Sequence, residues 1–240
     1  MIFTYKDLGN CGRLGNQLSQ LSATISTAID HKSKFVFPNW KYEKFFNLHN
    51  CYSDNIQETK NYREPDFKYT KIKFPQTEDI INLQGYFQSE KYFKNNEVAI
   101  RLAFSSTNPI PTQKNKTGIH VRRGDYLNLS EYHTNLSMSY YHQAMKLARS
   151  EKYVIFSDDI EWCKKNFIGD QFEFSEGSEI DDFNKMRSMG SNIIANSSFS
   201  WWAAYLNNNQ DKKVIAPSNW FGPKLNHDTS DLIPNDWIII

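Results

Sequence analysis

Cysteines and long apolar runs are scarce in this sequence, which argues against a disulfide-stabilised or membrane-spanning protein. The three cysteines, Cys11, Cys51 and Cys163, are widely spaced and form neither a C-x-x-C pair nor a metal-ligand pattern. We therefore expect free thiols in a reducing compartment. No run approaches the ~20 apolar residues of a membrane span, and the first residues lack the charged-then-apolar order of a signal peptide. We expect a cytoplasmic protein, with peripheral attachment to the inner face of the membrane as the alternative.

An excess of charge of one sign is also lacking. The 28 lysine and arginine residues nearly balance the 27 aspartate and glutamate residues, so the sequence offers no strongly basic field for DNA or RNA. The hydrophobic content of 39% and the charged content of 23% are typical of a folded globular chain. At 240 residues, the chain can form one large domain or two small ones.

The first half opens with a strand, a glycine-rich turn and a helix. Residues 1–5 alternate apolar and polar side chains, and Gly9, Gly12 and Gly15 follow closely. Apolar residues then recur at helical spacing to about Asp30. This order is typical of a Rossmann-like unit, whose helix N-terminus can receive an anion. The glycine spacing does not match G-x-G-x-x-G, so a plain tight turn is an equal alternative.

Less regular sequence separates this opening from the second half. Strands are predicted at 34–37 and 80–83, and the irregular, aromatic stretch 39–77 predicts short helices and loops. Ser89 is the predicted cap of a helix that continues through Leu102. Residues 105–116, with two prolines and many polar side chains, are the best linker candidate. We therefore expect two domains, over residues 1–112 and 113–240.

Strands and helices alternate regularly in the second half, which predicts a parallel sheet covered on both faces. The predicted strands are 116–121, 153–156, 172–174, 192–195 and 213–216, and the helices between them include 137–149 and 179–188. Asp158 or Ser157 is the predicted cap of the helix that follows the second of these strands. Ligands of such sheets bind at the carboxyl ends of the strands.

Three polar segments directly follow predicted strands, at 120–125, 157–159 and 196–200. We expect them to converge on one edge of the sheet, because the carboxyl ends of parallel strands meet there. The side chains of Arg122 and Arg123 can clamp a diphosphate and neutralise the charge that develops as it departs. The sequence therefore predicts a positive, hydrogen-bonding cluster for a nucleotide with a pyrophosphate, to which Ser197, Ser198 and Ser200 add donors.

Each residue of this cluster also has a simpler structural interpretation. The aspartate pairs at 158–159 and 181–182 are each compatible with helix caps alone, and an Arg-Gly-Asp sequence is compatible with a surface turn. The imidazole of His120 can be a satisfied core group, and the adjacent tryptophans at 201 and 202 favour core packing over a sugar platform. The convergence of three loops strengthens the joint hypothesis rather than any one residue.

Two motifs of phosphate chemistry are missing from the sequence. Without a Walker A motif, an ATPase of that class is disfavoured. Without a D-x-D motif, no carboxylate pair is suited to a divalent ion beneath a sugar nucleotide, because adjacent residues such as Asp158 and Asp159 point apart. We therefore expect no metal and no other cofactor, with the arginines supplying the positive charge.

Six segments, in order along nearly the whole chain, resemble the α-1,2-fucosyltransferases of bacteria and animals, glycosyltransferase family 11. They are GRLGNQ at 12–17, QGYFQSEKYF at 84–93, HVRRGDY at 120–126, FSDD at 156–159, IIANSSFSWW at 193–202, and VIAP at 214–217 followed by WF at 220–221. The resemblance implies an α/β fold of GT-B type, in which two Rossmann-like domains have parallel sheets that face each other across a cleft. The first domain would lie on the acceptor side and the second would bind the donor.

The activity implied by this resemblance is the inverting transfer of L-fucose from GDP-fucose to the 2-hydroxyl of a terminal galactose in a glycan. By similarity to the wider group of α-1,6 and protein O-fucosyltransferases, Arg122 would hold the diphosphate and His120 would lie near the guanine. Asp181 or Asp182 would read the guanine, and Asn16 would lie at the reacting centre. The rival hypotheses are a transferase for another nucleotide sugar and a non-catalytic glycan-binding protein.

The predicted site residues fall into two sets. Arg122, Asp125 as the base, and Asn16 are the predicted catalytic residues, although Asn16 has the alternative role of orienting the acceptor hydroxyl. Arg123 either faces the donor or turns away into an ion pair. The predicted donor-binding residues are Gly15, His120, Arg122, Arg123, Asp158, Asp181, Asp182, Asn196, Ser197, Ser198, Phe199 and Ser200.

Overall fold

The structure is a computed structural model, and it describes residues 1–57, 59–74 and 79–240. The chain divides into two compact units. The first comprises Met1–Asn108 and Asp228–Pro234, and the second comprises Pro109–His227 and Asn235–Ile240. A short segment near the C-terminal end thus belongs to the first unit, where ion pairs join Lys68 to Asp228 and Lys91 to Asp231. The functions expected of the two domains stay predictions.

The first unit contains a four-stranded parallel sheet in the order β2-β1-β4-β3. Its strands are β1 (Ile2–Thr4), β2 (Lys34–Phe35), β3 (Lys60–Arg63) and β4 (Ile80–Gln84), and its helices are α1 (Leu14–Asp30) and α2 (Glu97–Ala103). Helix α1 is buried along most of its length although it carries several serines and threonines. Their burial is tolerated because hydroxyls of this helix, such as those of Ser22 and Thr24, donate to backbone carbonyls four residues earlier.

Two sequence predictions for the first unit are wrong in part. Ser89 accepts a hydrogen bond from the backbone N–H of Lys91, but the helix that it caps is a short 3₁₀ turn over Glu90–Tyr92. A second such turn over Lys94–Asn96 precedes α2, so no continuous helix runs from Ser89 to Leu102. Strand β3 lies inside the stretch 39–77 that was expected to contain only helices and loops; residues 58 and 75–77 of that stretch lie outside the described residues.

The second unit contains a six-stranded parallel sheet in the order β10-β9-β8-β5-β6-β7. Its strands are β5 (Gln113–Val121), β6 (Lys152–Ser157), β7 (Phe172–Phe174), β8 (Met189–Ile193), β9 (Val214–Ala216) and β10 (Ile238–Ile239). Its helices are α3 (Met138–Ala148), α4 (Ile160–Asn166), α5 (Glu179–Arg187) and α6 (Ser198–Tyr205). The α/β class and the parallel sheets predicted from the sequence are confirmed in both units.

The central strands of this sheet are buried, as their apolar sequences predict. Ile119, Val121, Ile155 and Ile193 pack with Tyr141 of α3 in one apolar core. Strand β5 begins three residues earlier than expected, so the last third of the predicted linker at 105–116 is strand. The error arises because the first residues of β5 are polar and solvent-facing, although they pair with β8.

Candidate active site

The three polar segments singled out in the sequence follow three neighbouring strands of the second unit. Strand β5 lies between β8 and β6, and all three run parallel. From β5 the chain proceeds to β6 and β7 on one side and then returns to β8 on the other side. The carboxyl ends of β5 and β8 therefore flank the point where the strand order reverses, which is where open parallel sheets bind their ligands.

Arg122 is the first residue beyond β5 and lies at this point. Its side chain is only 13% exposed. One guanidinium nitrogen contacts Asp158 Oδ2 at 2.7 Å, another pairs with the carboxylate of Asp125, and the guanidinium carbon lies 5.0 Å from the centre of the Tyr126 ring. These contacts fix the guanidinium in one place at the sheet edge.

Arg123 turns away from Arg122 and forms the ion pair that was one of its two predicted alternatives. Its Nε donates to Asp159 Oδ2 at 3.1 Å, and its guanidinium lies 3.9 Å from the centre of the Trp162 ring. Asp159 also caps α4, where its Oδ1 accepts the backbone N–H of Trp162. The predicted cap at Asp158 or Ser157 is therefore wrong, because Asp158 points back to the loop after β5.

The electrostatics of this cluster differ from the positive patch predicted from the sequence. The guanidinium groups of Arg122 and Arg123 face three carboxylates, those of Asp125, Asp158 and Asp159. The close approach of Asp158 depends on Gly124, since a Cβ at that position would lie 2.5 Å from the Asp158 carboxylate. A phosphate that binds Arg122 must therefore share or replace a carboxylate partner.

His120, the penultimate residue of β5, is 6% exposed and packs against Phe199 with a ring separation of 5.3 Å. Burial, and then the nearby charge of Arg122, lower the pKa of His120 to about 3. The imidazole is therefore neutral at ordinary pH. Its Nδ1 is buried and makes no hydrogen bond within the described part of the chain.

The segment after β8 is only partly available to a ligand. Asn196 is buried, and its amide nitrogen donates to the backbone oxygens of Thr134 and Trp220 at 2.9 and 2.8 Å. Ser200 is also buried, and its hydroxyl donates to the backbone. Residues 197–199, at the start of α6, are partly exposed. Of the five predicted donor-binding residues in this segment, only these three present surface.

Asp181 and Asp182 lie in the first turn of α5, which reaches the site through Phe183. The ring of Phe183 lies 5.5 Å from that of Phe199. Asp181 is exposed and accepts the hydroxyl of the helix cap Ser178. Asp182 is half-buried, with one oxygen bound to a serine hydroxyl, and burial raises its pKa. Both therefore contribute to the helix start, and Asp182 is the more enclosed of the two.

The predicted residues of the first unit form a separate cluster at the start of α1. Asn16 Oδ1 accepts from Gln88 Nε2 at 2.6 Å. A Cβ at Gly12, whose φ is +79°, would lie 2.4 Å from the Asn16 side chain, so the glycine permits this approach. Gly15 is buried in the first turn of α1, where its backbone oxygen accepts the Ser19 hydroxyl at 3.4 Å.

With this geometry established, comparison with known proteins places the chain in a family. The sequence model of glycosyl transferase family 11 matches residues 16–240. The chain belongs to this family. It is accordingly a glycosyltransferase, and the resemblance found in its six sequence segments is confirmed.

Relatives in this family differ in the sugar that their names specify. An alpha-1,2-colitosyltransferase of Escherichia coli is 30% identical over 252 residues, which cover 94% of this chain and 83% of that protein. The galactoside alpha-(1,2)-fucosyltransferase 1 of Bos taurus is 32% identical over 105 residues, which cover 37% of this chain and 28% of that protein. The crystal structure of NodZ alpha-1,6-fucosyltransferase soaked with GDP-fucose matches with a TM-score of 0.48 and 10% identity, covering 85% of this chain and 92% of that one.

No helix among the described residues of this family 11 member is both long and apolar enough to cross a bilayer.

Sequence reasoning gave no role to Tyr126 or His133, although their rings stack at 4.2 Å beside Arg122. The only signal for Tyr126 was its place at the end of the HVRRGDY segment, and His133 carried none.

Proposed function

We propose that this glycosyltransferase moves L-fucose from GDP-fucose to the 2-hydroxyl of a galactoside, with inversion at the anomeric carbon. The observation that carries the proposal is the position of Arg122 at the strand-order reversal, in the sheet that also presents the start of α6 after β8. A guanidinium and a helix N-terminus are both suited to the two phosphates of a nucleotide diphosphate. Family membership and the names of the relatives support the choice of a fucosyl donor.

In this proposal, the acceptor oxygen forms a bond to the anomeric carbon while the bond from that carbon to the diphosphate oxygen breaks. Negative charge then develops on the departing GDP, and Arg122 stabilises it together with the amides and hydroxyls of residues 197 and 198. A neutral His120 and a partly buried Asp182 suit the proposed contacts with the guanine, because a guanine N–H edge needs an acceptor.

The acceptor proton must leave with the new bond, and we assign it to the carboxylate of Asp125. In the free protein this carboxylate is paired with Arg122. A bound diphosphate would occupy the same guanidinium and release Asp125 for proton transfer. Asn16, held by Gln88 in the first unit, would then orient the acceptor hydroxyl.

The direct test is incubation with GDP-fucose and lactose, followed by mass analysis of the product. Arg122→Ala should abolish transfer while leaving the circular dichroism spectrum unchanged. Arg101→Ala is the matched control, because it removes an arginine paired with Glu97 on α2 of the first unit. Near-normal turnover by folded Arg122→Ala protein would overturn the proposed role.

Colitose is the second candidate sugar, because a relative whose match covers 94% of this chain is named a colitosyltransferase. Colitose lacks the 3-hydroxyl of fucose, so the two donors differ in one polar group. Parallel measurement of kcat/KM with the two GDP-activated sugars decides between them. A site that hydrogen-bonds the 3-hydroxyl should prefer fucose strongly, since loss of that group would leave polar partners unpaired.

The proposed reaction needs no metal. We expect full activity in excess EDTA, because Arg122 and the start of α6 supply the stabilisation that a divalent ion gives in other transferases. Loss of activity in EDTA that Mg²⁺ or Mn²⁺ restores would contradict this part of the proposal.

A further inference from the structure

Tyr126 lies in the loop after β5 and also contacts the loop after β8 at the candidate active site. Its ring lies 5.0 Å from the guanidinium carbon of Arg122 and stacks on His133 at 4.2 Å, with 9° between the ring planes. Its hydroxyl donates to the backbone oxygen of Asn196 at 3.1 Å. Its own backbone oxygen accepts the amide of Asn135 at 3.0 Å. One side chain therefore links the loop after β5 to the loop after β8.

The Asn196 end of this link is held in place by further hydrogen bonds. Asn196 is buried, and its side chain donates to the backbone of Thr134 and of Trp220. The hydroxyl of Thr134 in turn donates to the backbone oxygen of Phe221 at 2.9 Å. Asn196 also directly precedes residues 197 and 198, with which α6 begins. The backbone oxygen that Tyr126 contacts therefore belongs to the peptide unit directly before the N-cap residue of α6.

We propose that Tyr126 is a positioning residue that sets the distance between the Arg122 guanidinium and the start of α6, and thereby matches the two to a diphosphate. The inference rests on the proposed function for the identity of the ligand. The ring restrains Arg122 at one end, and the hydroxyl restrains Asn196 at the other. Phosphate groups bind tightly only where all donors meet the oxygens at once, so a loosened spacing weakens the second contact.

A comparison of GDP binding with GMP binding distinguishes a positioning role of Tyr126 from a general effect on stability. GDP carries two phosphates that can span Arg122 and α6, whereas GMP carries one and cannot use both to the same extent. Loss of the link should therefore weaken the binding of GDP more than that of GMP. A merely structural role would weaken both equally, or would lower only the melting temperature.

The experiment compares Tyr126→Phe with Tyr132→Phe in the full chain. Tyr126→Phe keeps the ring beside Arg122 and removes only the hydroxyl that donates to Asn196. Tyr132 lies in the same loop, is exposed, and has its ring against Lys224, so it provides the matched control. Calorimetry measures GDP and GMP binding, and hydrogen exchange measures the amides of residues 197–199. We expect GDP affinity to fall about three- to tenfold in Tyr126→Phe, GMP affinity to hold, and exchange at 197–199 to accelerate.

The outcomes distinguish this inference from the proposed function. Unchanged exchange at 197–199, or an unchanged ratio of GDP to GMP affinity, would overturn the positioning role. If wild-type protein binds neither GDP nor GMP, the proposed function and the diphosphate part of this inference are both refuted. Exchange at 197–199 still decides in that case whether Tyr126 links the two loops. Equal effects in Tyr132→Phe would also count against the inference.

Discussion

Removing the charge of Asp125 should tighten the binding of GDP while it abolishes transfer. In the free protein, Asp125 pairs with Arg122, which the proposed function assigns to the diphosphate. Asp125→Asn leaves the shape of the side chain nearly unchanged and removes a negative charge that competes for the same guanidinium. If Asp125 is also the base, the variant binds donor well and transfers no sugar.

The size of the effect follows from two contributions. The Asp125 side chain is 44% exposed, so the lost ion pair is worth at most about 1 kcal/mol. Repulsion between two unit negative charges about 5 Å apart is worth about 1 kcal/mol in bulk water and about 3 kcal/mol at an effective dielectric constant of 20. A partly exposed site lies nearer to the first value, so we expect GDP affinity to rise about five- to thirtyfold.

Calorimetric titration with GDP at low and high salt measures this effect. The gain should shrink as salt rises, because exposed charges are screened. Glu131→Gln is the matched control, since Glu131 is an exposed carboxylate of the same loop that pairs with Lys224. Equal or weaker GDP binding by Asp125→Asn would refute the argument that Asp125 competes with the diphosphate. Retained transfer would refute its role as the base.

Three further predictions concern stability and the geometry around Arg122. Gly190→Ala should abolish cooperative unfolding as followed by circular dichroism, at a cost of at least about 4 kcal/mol, because its Cβ would lie 2.1 Å from the backbone oxygen of Lys114. Gly124→Ala should keep the fold but lower kcat/KM about tenfold, since its Cβ would displace the Asp158 carboxylate from Arg122. His120 has its pKa lowered from 6.5 to about 3, so its contribution to stability is complete above pH 6.5 and is lost as pH falls from there towards 3. Urea titrations should show a decline of up to about 1.4 kcal/mol per pH unit in that range, which His120→Asn should reduce.

The architecture of the second unit could be predicted because its sequence pattern is local and regular. Apolar runs such as Tyr153–Phe156 mark buried parallel strands, and the polar residues that follow them mark the edge where ligands bind. The same reasoning failed for β3, because its sequence, KNYR, is polar and largely exposed and carries no buried-strand signal. It also failed at the start of β5, where polar residues resemble a linker.

The pairing of side chains within the site could not be predicted, because it depends on how separate loops approach one another. Asp158 and Asp159 are adjacent and chemically alike, yet one reaches Arg122 and the other caps α4 and pairs with Arg123. The side chains of adjacent residues point in different directions, but nothing local specifies which aspartate takes which role. The resulting excess of carboxylates is a property of the tertiary structure, and a sequence count of arginines overstates the positive charge of the site.

The two carboxylates beside Arg122 are not equivalent, and their difference bears on how a diphosphate would enter. Asp158 is 27% exposed and also accepts the backbone N–H of Arg123, so its removal would leave a second donor without its partner. Asp125 is more exposed, and its pairing with Arg122 spans only three residues of the same loop. An incoming anion should therefore displace Asp125 and leave Asp158 in place as the group that holds the guanidinium. The largely buried Arg122 would in this way keep two partners at every stage, because the diphosphate and Asp125 exchange at one position while Asp158 stays fixed.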